Sequence, residues 1–336
     1  SAERGILVRD ATALETLHRV NTVVFDKTGT ITEGRPEVQR VVSLNSASVE
    51  EVLEVAASVE ASSEHPLAKA ILQAAKEKGL SVPEVEEFQS IPGGGVRGRV
   101  LGAEVIIGSP ELLEREGLKV DSREVFEKLQ DEGFTVVAVA KDRSLIGAIA
   151  LRDTIKTTSK EAIQRLREMG IELVMLTGDN ERAAHAVARE VGIERVFARV
   201  LPENKTEVVK TLKSEGRTVA MVGDGINDAP ALAEAHVGIA MGTGTDIAIE
   251  AADITLVRGD LRAVVDAIRI SHLTLRTIKQ NLFWAFFYNV IGIPVAAGVL
   301  YPFGGPLLNP MFASLAMAFS SVSVVTNSLR LKKKPL

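Results

Sequence analysis

The chain contains no cysteine among its 336 residues. Disulfide bonds, thiolate metal sites and cysteine nucleophiles are therefore excluded, and soft-metal chemistry would need other ligands. A large excess of one charge is also absent, because the net charge is only -5 and acidic and basic residues are interspersed. Bulk attraction thus predicts no nucleic-acid partner. With 46% hydrophobic and 25% charged residues, the composition is typical of a folded protein of roughly two domains.

Charged side chains are absent from one long segment, residues 280–329. Residues 282–300 and 311–329 are each long enough for a membrane-spanning helix of ~20 residues, and the turn between them is rich in Pro and Gly. Arg276 and Lys279 precede the segment and basic residues follow it from Arg330, which favours a cytoplasmic location for both ends. The segment predicts a transmembrane helical hairpin. The alternative is a helical pair buried in a large soluble core.

Three short apolar runs are predicted strands, and each ends at an acid or a hydroxyl. They are residues 22–25 before Asp26, 173–176 before Thr177 and 219–222 before Gly223-Asp224. Helical spacing separates them at 159–169, 181–191 and 203–212, and further strands are predicted at 237–241 and 254–257. This alternation predicts an open parallel α/β sheet with its ligand crevice at the carboxyl ends of the strands.

Far more residues separate the first of these strands from the second than a normal connection between strands contains. Residues 36–150 are therefore predicted to be an inserted α+β domain, an antiparallel sheet flanked by helices. Its predicted helices are 49–59, 66–78 and 125–131, and its strands are near 96–101, 105–107, 135–140 and 145–150. The predicted division is 1–35 with 151–280 for the parallel-sheet domain, 36–150 for the insert and 281–330 for the hairpin.

The sequence Asp26-Lys-Thr-Gly-Thr30 places a carboxylate at a strand tip beside a Gly-containing turn whose N–H groups can hold phosphate oxygens. A carboxylate can attack a phosphoryl group and form an acyl phosphate, and aspartyl-phosphate ATPases are an established example. An Asp that simply ends a strand is the alternative for this position taken alone.

Together with Thr177-Gly-Asp179 and Gly223-Asp-Gly-Ile-Asn-Asp228, this motif resembles the phosphorylation domain of P-type ATPases, within the haloacid-dehalogenase-like, Rossmann-type fold. The resemblance implies that Asp26 is the nucleophile and that Asp26, the Thr28 carbonyl and Asp224 hold Mg²⁺. It implies that Thr177 hydrogen-bonds the phosphoryl group and that Lys205 balances its charge. The implied catalytic residues are Asp26, Lys27, Thr28, Thr177, Gly178, Asp179, Lys205, Asn227 and Asp228.

Thr28 stands where a related phosphatase would carry an Asp that acts as acid and then as base. Without that group, water is poorly activated and the phosphoenzyme is expected to persist. In the P-type family the hydrolytic group is the Glu of a Thr-Gly-Glu loop in an actuator domain, and this chain contains no Thr-Gly-Glu.

The insert resembles the nucleotide-binding domain of the heavy-metal branch of the family. Glu60 and His65 are expected to meet the adenine of ATP, and the glycines are expected to let the backbone approach it. The implied ATP-binding residues are Glu60, His65, Gly93, Gly95, Gly98 and Ser109. Ser109 stands where the family usually has Asn, so we expect a weaker adenosine contact and a lower ATP affinity.

In the hairpin, Tyr288-Asn289 and Met317-Ala-Phe-Ser-Ser321 resemble the copper(I)-exporting branch. The resemblance implies Cu⁺ ligands at Tyr288, Asn289, Met317 and Ser321, and thioether suits this soft ion. Zinc or another heavy metal is the alternative cargo.

The family also has a Cys-Pro-Cys metal site in an earlier membrane helix. The start at Ser1 and the lack of cysteine are thus expected of a fragment that works with an actuator domain and upstream membrane helices outside this chain. The expected protein is an integral membrane ATPase with cytoplasmic catalytic domains. Two other classes stay open, a soluble phosphatase of the same superfamily and a nucleotide-binding regulatory module without turnover.

Overall fold

The structure is a computed structural model that describes residues 5–92, 94–224, 226–242, 246–297, 299, 301–303 and 310–333. Within them the strands are β1 Ile6–Val8, β2 Thr22–Asp26, β3 Thr32–Ser43, β4 Val85–Ile91, β5 Gly95–Val100, β6 Ala103–Gly108, β7 Thr135–Lys141, β8 Ser144–Ile155, β9 Glu172–Leu176, β10 Arg195–Phe197, β11 Val219–Gly223, β12 Val237–Met241 and β13 Ile254–Leu256. The helices are α1 Ala11–Leu17, α2 Val49–Glu60, α3 Pro66–Glu77, α4 Pro110–Arg115, α5 Arg123–Asp131, α6 Ser159–Glu168, α7 Glu181–Val191, α8 Lys205–Ser214, α9 Ala229–Glu234, α10 Asp246–Ala251, α11 Arg262–Ala296 and α12 Pro310–Lys333.

One sheet has the strand order β1-β13-β12-β11-β2-β9-β10, and all its strands are parallel except the edge strand β1. Every residue of β2, β11 and β12 is buried, because helices cover both faces of the sheet. Val23 and Phe25 face a core shared with α1, α6, α7 and α11, whereas Val24 faces α8 and α9. The prediction of a parallel α/β sheet is confirmed.

The second sheet is antiparallel, with the order β3-β8-β7-β6-β5-β4. It extends from Thr32 to Ile155, a little beyond the segment 36–150 predicted for the inserted domain. Helices α2 and α3 cover one face, and α4 and α5 cover the other. The long strands β3 and β8 pair with each other at one edge of this sheet, so the chain enters and leaves the insert side by side.

Helices α11 and α12 form the predicted hairpin. Side chains join the middle of α11 to the C-terminal part of α12, since Asn327 Nδ2 donates to Asn281 Oδ1 at 2.8 Å and Asn281 Nδ2 donates to Ser328 Oγ at 2.9 Å. Among the helices of the described residues, none combines the length and the apolar character needed to cross a membrane. The two helices are thus present, and the predicted membrane spans at 282–300 and 311–329 are not shown.

Candidate functional site

Three carboxylates meet at the carboxyl ends of β2 and β11. The side chains of Asp26, Asp224 and Asp228 each offer an oxygen within 4.8 Å of the others. Lys205 Nζ, at the start of α8, donates to Asp26 Oδ1 at 2.8 Å and to Asp228 Oδ1 at 2.7 Å. The backbone N–H of Asp224 donates to Asp228 Oδ2 at 3.1 Å. The predicted nucleophile, Lys205 and two further acids are therefore brought together.

Burial changes the pKa values of the ionisable side chains in this cluster. Asp26 is only 6% exposed, and burial, followed by repulsion from Asp228, raises its pKa to about 7 despite the nearby Lys205. Burial and Asp228 likewise raise the pKa of Asp224 to about 6. Burial lowers the pKa of Lys205, but Asp26 and Asp228 more than offset this, so it lies above its ordinary value. The site thus gathers three carboxylates around the Lys205 ammonium.

Two glycines let the acids approach so closely. Gly29 has φ +74°, and a Cβ there would lie 1.8 Å from Asp224 Oδ2. A Cβ on Gly223 would lie 2.7 Å from Asp228 Oδ2. The Gly-containing turn after Asp26 therefore gives the Asp224 carboxylate its place, which adds a role to the phosphate cradle predicted from the sequence.

Thr177 and Asp179 follow β9, beside β2. Asp26 of β2 pairs with Leu176 of β9, so Thr177 lies one residue further along the strand direction than the predicted nucleophile. Thr177 is buried, and its Oγ1 accepts from the backbone N–H of Asp179 at 3.1 Å. Lys27 Nζ donates to Asp179 Oδ2 at 2.5 Å, and Thr135 Oγ1 of the second sheet donates to Asp179 Oδ1 at 3.2 Å. Asp179 thus holds Lys27 and links the two sheets.

The remaining predicted residues of this site differ in burial. Thr28 is exposed, and Gly178 lies in the turn between Thr177 and Asp179. Asn227 is exposed in the short 3-10 turn that ends at the buried Asp228. Its side chain does not share the enclosed position of the three acids.

Sequence reasoning missed residues at the end of β8 that hold the turn after β2 and the start of β3. The buried Asp153 accepts from Thr32 Oγ1 at 2.5 Å and from the backbone N–H groups of Gly34 and Arg35 at 3.2 and 3.0 Å. Lys156 Nζ donates to the carbonyl oxygen of Gly29 at 2.7 Å, and burial lowers its pKa. These residues lie far from the turn in sequence, and only the folded strands reveal the contacts.

A hard divalent cation fits the donor set. Three carboxylates with oxygens in mutual reach are the ligand chemistry that Mg²⁺ prefers. Burial and, after it, repulsion from Asp228 raise the pKa of Asp26 and of Asp224, and a cation would relieve that repulsion. In the same turn the hydroxyl of Thr30 is buried and makes no hydrogen bond within the described residues. Such a hydroxyl could donate to an added oxyanion.

In the second sheet, several predicted ATP-binding residues have packing roles. A Cβ on Gly95 would lie 2.0 Å from Leu112 Cδ2, and one on Gly98 would lie 2.4 Å from Val85 Cγ2. Ser109 Oγ accepts from the backbone N–H of Leu112 at 3.1 Å and caps α4. These glycines and this serine are therefore needed for close packing and helix capping, whatever else they contact.

Glu60 and His65 lie near the ends of α2 and α3 that approach each other. Glu60 is buried, and burial raises its pKa. His65 is exposed, and its Nδ1 accepts from the backbone N–H of Leu67 at 3.2 Å, which caps α3. Its Nε2 has no hydrogen-bond partner among the residues that the structure describes. Gly93 lies outside the described residues.

The predicted copper ligands lie on both hairpin helices. Tyr288 is half-buried on α11 beside Trp284, and Asn289 Nδ2 donates to the carbonyl oxygen of Ala285 at 2.9 Å. Ser321 is exposed on α12. Met317 falls on α12, and its side chain lies outside the described part of the chain.

Residues 20–236 match the haloacid dehalogenase-like hydrolases. The chain is 50% identical over 332 residues to a silver exporting P-type ATPase of Salmonella typhimurium, which covers 98% of this chain and 40% of the relative. It is 51% identical over 338 residues to a copper-exporting P-type ATPase of Legionella pneumophila, covering 100% of this chain and 46% of the relative. It thus spans less than half the length of these curated relatives.

A crystal structure of a zinc-transporting PIB-type ATPase in the E2.Pi state resembles this chain with a TM-score of 0.75 and 39% identity. The match covers 98% of this chain and 53% of that one.

Proposed function

Because the chain belongs to the P-type ATPases within the haloacid dehalogenase-like hydrolases, we propose that it performs the phosphorylation half of an ATP-driven pump cycle, with Asp26 as phosphate acceptor. The observation that carries the proposal is the contact of Asp26 with Lys205 inside a cluster of three acids. A buried carboxylate that is held by a lysine and flanked by further acids is suited to a phosphoryl group and its cation.

In the proposed step, an Asp26 oxygen forms a bond to the γ-phosphorus of ATP while the bond from that phosphorus to the bridging oxygen breaks and ADP leaves. Lys205 already donates to Asp26 Oδ1, so its ammonium lies where charge accumulates on the transferred group. The N–H of Asp179 occupies a lone pair of Thr177 Oγ1, and the Thr177 hydroxyl proton remains available for a phosphoryl oxygen.

Asp26, Asp224 and the Thr28 carbonyl are the proposed Mg²⁺ ligands, and Asp228 and Asn227 support them. When bound, Mg²⁺ supplies the positive charge that draws the triphosphate and the carboxylates together. Lys205 and the surrounding packing hold the acids in place for it.

The phosphoenzyme is proposed to be durable. Thr28 offers no carboxylate to activate water, so hydrolysis would need a group from another domain. We assign that role to the Glu of a Thr-Gly-Glu loop in an actuator domain outside this chain.

ATP is proposed to bind on the second sheet, at Glu60, His65 and the glycines of β5. Glu60 and His65 lie at neighbouring helix ends, and the His65 Nε2 is not used by the cap. Gly93 and Ser109 complete the proposed set.

The proposed cargo is Cu⁺. In this proposal α11 and α12 belong to the membrane region through which the ion crosses. Support comes from relatives named for copper and silver export, and from the exposed apolar side chains of α11. Soft Cu⁺ is suited to Met317, with Tyr288, Asn289 and Ser321 as further ligands. The zinc-transporting neighbour keeps Zn²⁺ as the alternative cargo.

Phosphorylation is tested by mixing the chain with γ-labelled ATP and Mg²⁺. We expect an acid-stable, hydroxylamine-labile label that disappears in Asp26→Asn and persists in the control Asp121→Asn, an exposed loop acid. A label that survives Asp26→Asn, or no label at all, would contradict the proposal.

The cargo is tested on a full-length protein that contains this chain. ATPase activity should rise with Cu⁺ and Ag⁺, and Met317→Ala should reduce that stimulation. Stimulation by Zn²⁺ alone would replace copper with a divalent cargo.

A further inference from the structure

A pocket of about 410 Å³ lies between α1 and the middle of α11. Ser271 Oγ donates to the carbonyl oxygen of Leu14 at 2.8 Å, which fastens the two helices just above it. Val264, Val265 and Ile268 of α11, before this point, are buried in the core of the parallel sheet, whereas Ile278, Leu282 and Phe283, beyond it, are exposed. The pocket therefore lies where α11 leaves the folded domain. Its lining includes His18, His272, Arg276, Lys279, Phe283 and Trp284.

The pocket carries positive charge that the described protein does not neutralise. Arg276 and Lys279 are exposed, and neither forms an ion pair within the described residues. No Asp or Glu lines the pocket. A protein segment that covered it would therefore need to bring acids of its own.

Two imidazoles add hydrogen-bonding capacity. The rings of His18 and His272 meet edge to face with centroids 4.5 Å apart. The Nδ1 atom of His18 is shielded from solvent and has no hydrogen-bond partner in the described part of the chain. Such an atom is costly to bury unless a partner satisfies it. Guanidinium, ammonium and imidazole groups around one space match an anion with several acceptor oxygens.

The other end of the pocket is aromatic. Trp284 is 45% exposed and Phe283 is 59% exposed, and large apolar side chains continue along α11 beyond them. Tryptophan with flanking Arg and Lys is typical of the boundary between a membrane and water. The Asn281–Asn327 hydrogen bond places the exposed Arg330 at the same end of the hairpin. Cations, then aromatics, then apolar side chains thus follow one another along a single direction.

We propose that this pocket binds the phosphate of an anionic phospholipid headgroup and so fixes the phosphorylation domain to the membrane surface. The proposal depends on the membrane location given under the proposed function. A headgroup, rather than free phosphate, is favoured because the aromatic end of the pocket continues into the exposed apolar face.

Trp284 is the only tryptophan of the chain, so its fluorescence reports on the pocket directly. The full chain in non-ionic detergent would be titrated with short-chain phosphatidylglycerol, short-chain phosphatidylcholine and inorganic phosphate. We expect a saturable change with phosphatidylglycerol at a concentration about tenfold or more below that for phosphatidylcholine. Arg276→Gln with Lys279→Gln should abolish this preference.

The matched control is Arg115→Gln with Lys119→Gln, an exposed Arg and Lys on the second sheet's domain, which should keep the preference. Equal responses to both lipids, or a preference retained without Arg276 and Lys279, would overturn the proposal. Saturation by inorganic phosphate at the same concentration would overturn it in favour of a free-anion site.

Labelling of Asp26 from ATP and flotation with vesicles are measured on the same preparation. Labelling and flotation without a lipid preference would reject only the headgroup site. A lipid preference without labelling would reject the phosphorylation proposal and leave the site standing. Failure to float with vesicles of either phosphatidylglycerol or phosphatidylcholine would reject the membrane location and this inference together.

Discussion

At Asp26, the burial that raises the pKa of the carboxyl also makes its charge costly in the free protein. The folded-state pKa of about 7 exceeds the ordinary 3.8, so the folded state binds more protons between these values. The free energy of unfolding contributed by this group therefore falls as pH rises from about 4 to about 7.

We expect Asp26→Asn to raise the melting temperature above pH 7 while it abolishes phosphorylation. At pH 5 the difference from wild type should shrink, because the wild-type carboxyl is then protonated. A gain of about 1 kcal/mol in the free energy of unfolding should raise the melting temperature by 2–4 °C for a domain of this size. Thermal denaturation without Mg²⁺ measures this, and Asp121→Asn should show no such pH-dependent gain. A variant less stable than wild type at pH 8 would contradict the expectation.

Lys205 balances two of the three acids from a position that is 11% exposed. Lys205→Ala should cost about 3 kcal/mol or more of unfolding free energy, because it removes the ammonium that contacts both buried carboxylates. Mg²⁺ should recover part of that loss. Lys210→Ala is the control, since its pair with Glu207 is exposed and should contribute at most about 0.5 kcal/mol. Urea unfolding with and without Mg²⁺ measures both, and equal losses in the two variants would refute the role of Lys205.

At the scale of elements, the turn between β2 and β3 depends on Gly29. Gly29→Ala should displace the Asp224 carboxylate and remove most Mg²⁺-dependent labelling, because the added Cβ would lie 1.8 Å from Asp224 Oδ2. Gly170→Ala has a similar φ of +77° with nothing within 4 Å, so it should cost about 1–2 kcal/mol and leave labelling intact. Labelling assays on both proteins separate backbone strain from loss of the acid. Normal labelling in Gly29→Ala would show that the turn tolerates a side chain.

Ser109 caps α4 and is also proposed to contact ATP, and two substitutions distinguish these roles. Ser109→Ala should cost about 0.5–2 kcal/mol of stability, because the N–H of Leu112 loses its acceptor. Ser109→Asn retains a capping oxygen and should keep the stability while it tightens ATP binding. Thermal melts and calorimetric ATP titration measure the two effects. If Ser109→Asn leaves the ATP affinity unchanged, the residue acts as a cap alone.

The strands that carry the acids were predictable because both of their faces are buried, which leaves continuous apolar runs at β2, β9 and β11. Strands β3 and β4 were not predicted, since exposed polar residues interrupt them and Glu87 in β4 has φ +53°. Asp153 also escaped prediction, because its partners at the start of β3 lie 118–121 residues away. Sequence spacing identifies the local motif, whereas the residues that support it depend on how β3 and β8 pair.

At the scale of the whole molecule, a small interface joins the two sheets next to the site. Arg182 of α7 contacts Asp131 at 3.0 Å and Glu127 at 3.2 Å in α5, and Thr135 donates to Asp179. The ion pairs are exposed and individually weak, so the interface should open and close readily. Because Asp179 also holds Lys27, its opening should be felt beside the nucleophile.

Removing this interface should let the two domains move apart without unfolding either. Since the chain has no cysteine, Lys78→Cys and Glu168→Cys can carry a pair of dyes without interference. Arg182→Ala with Thr135→Val should broaden the single-molecule energy-transfer distribution and lower its mean. The control Arg165→Ala breaks a pair within α6 alone and should not change it. If ATP contacts both domains, it should narrow the energy-transfer distribution again. A distribution identical in all variants would show that β3 and β8 alone set the domain arrangement.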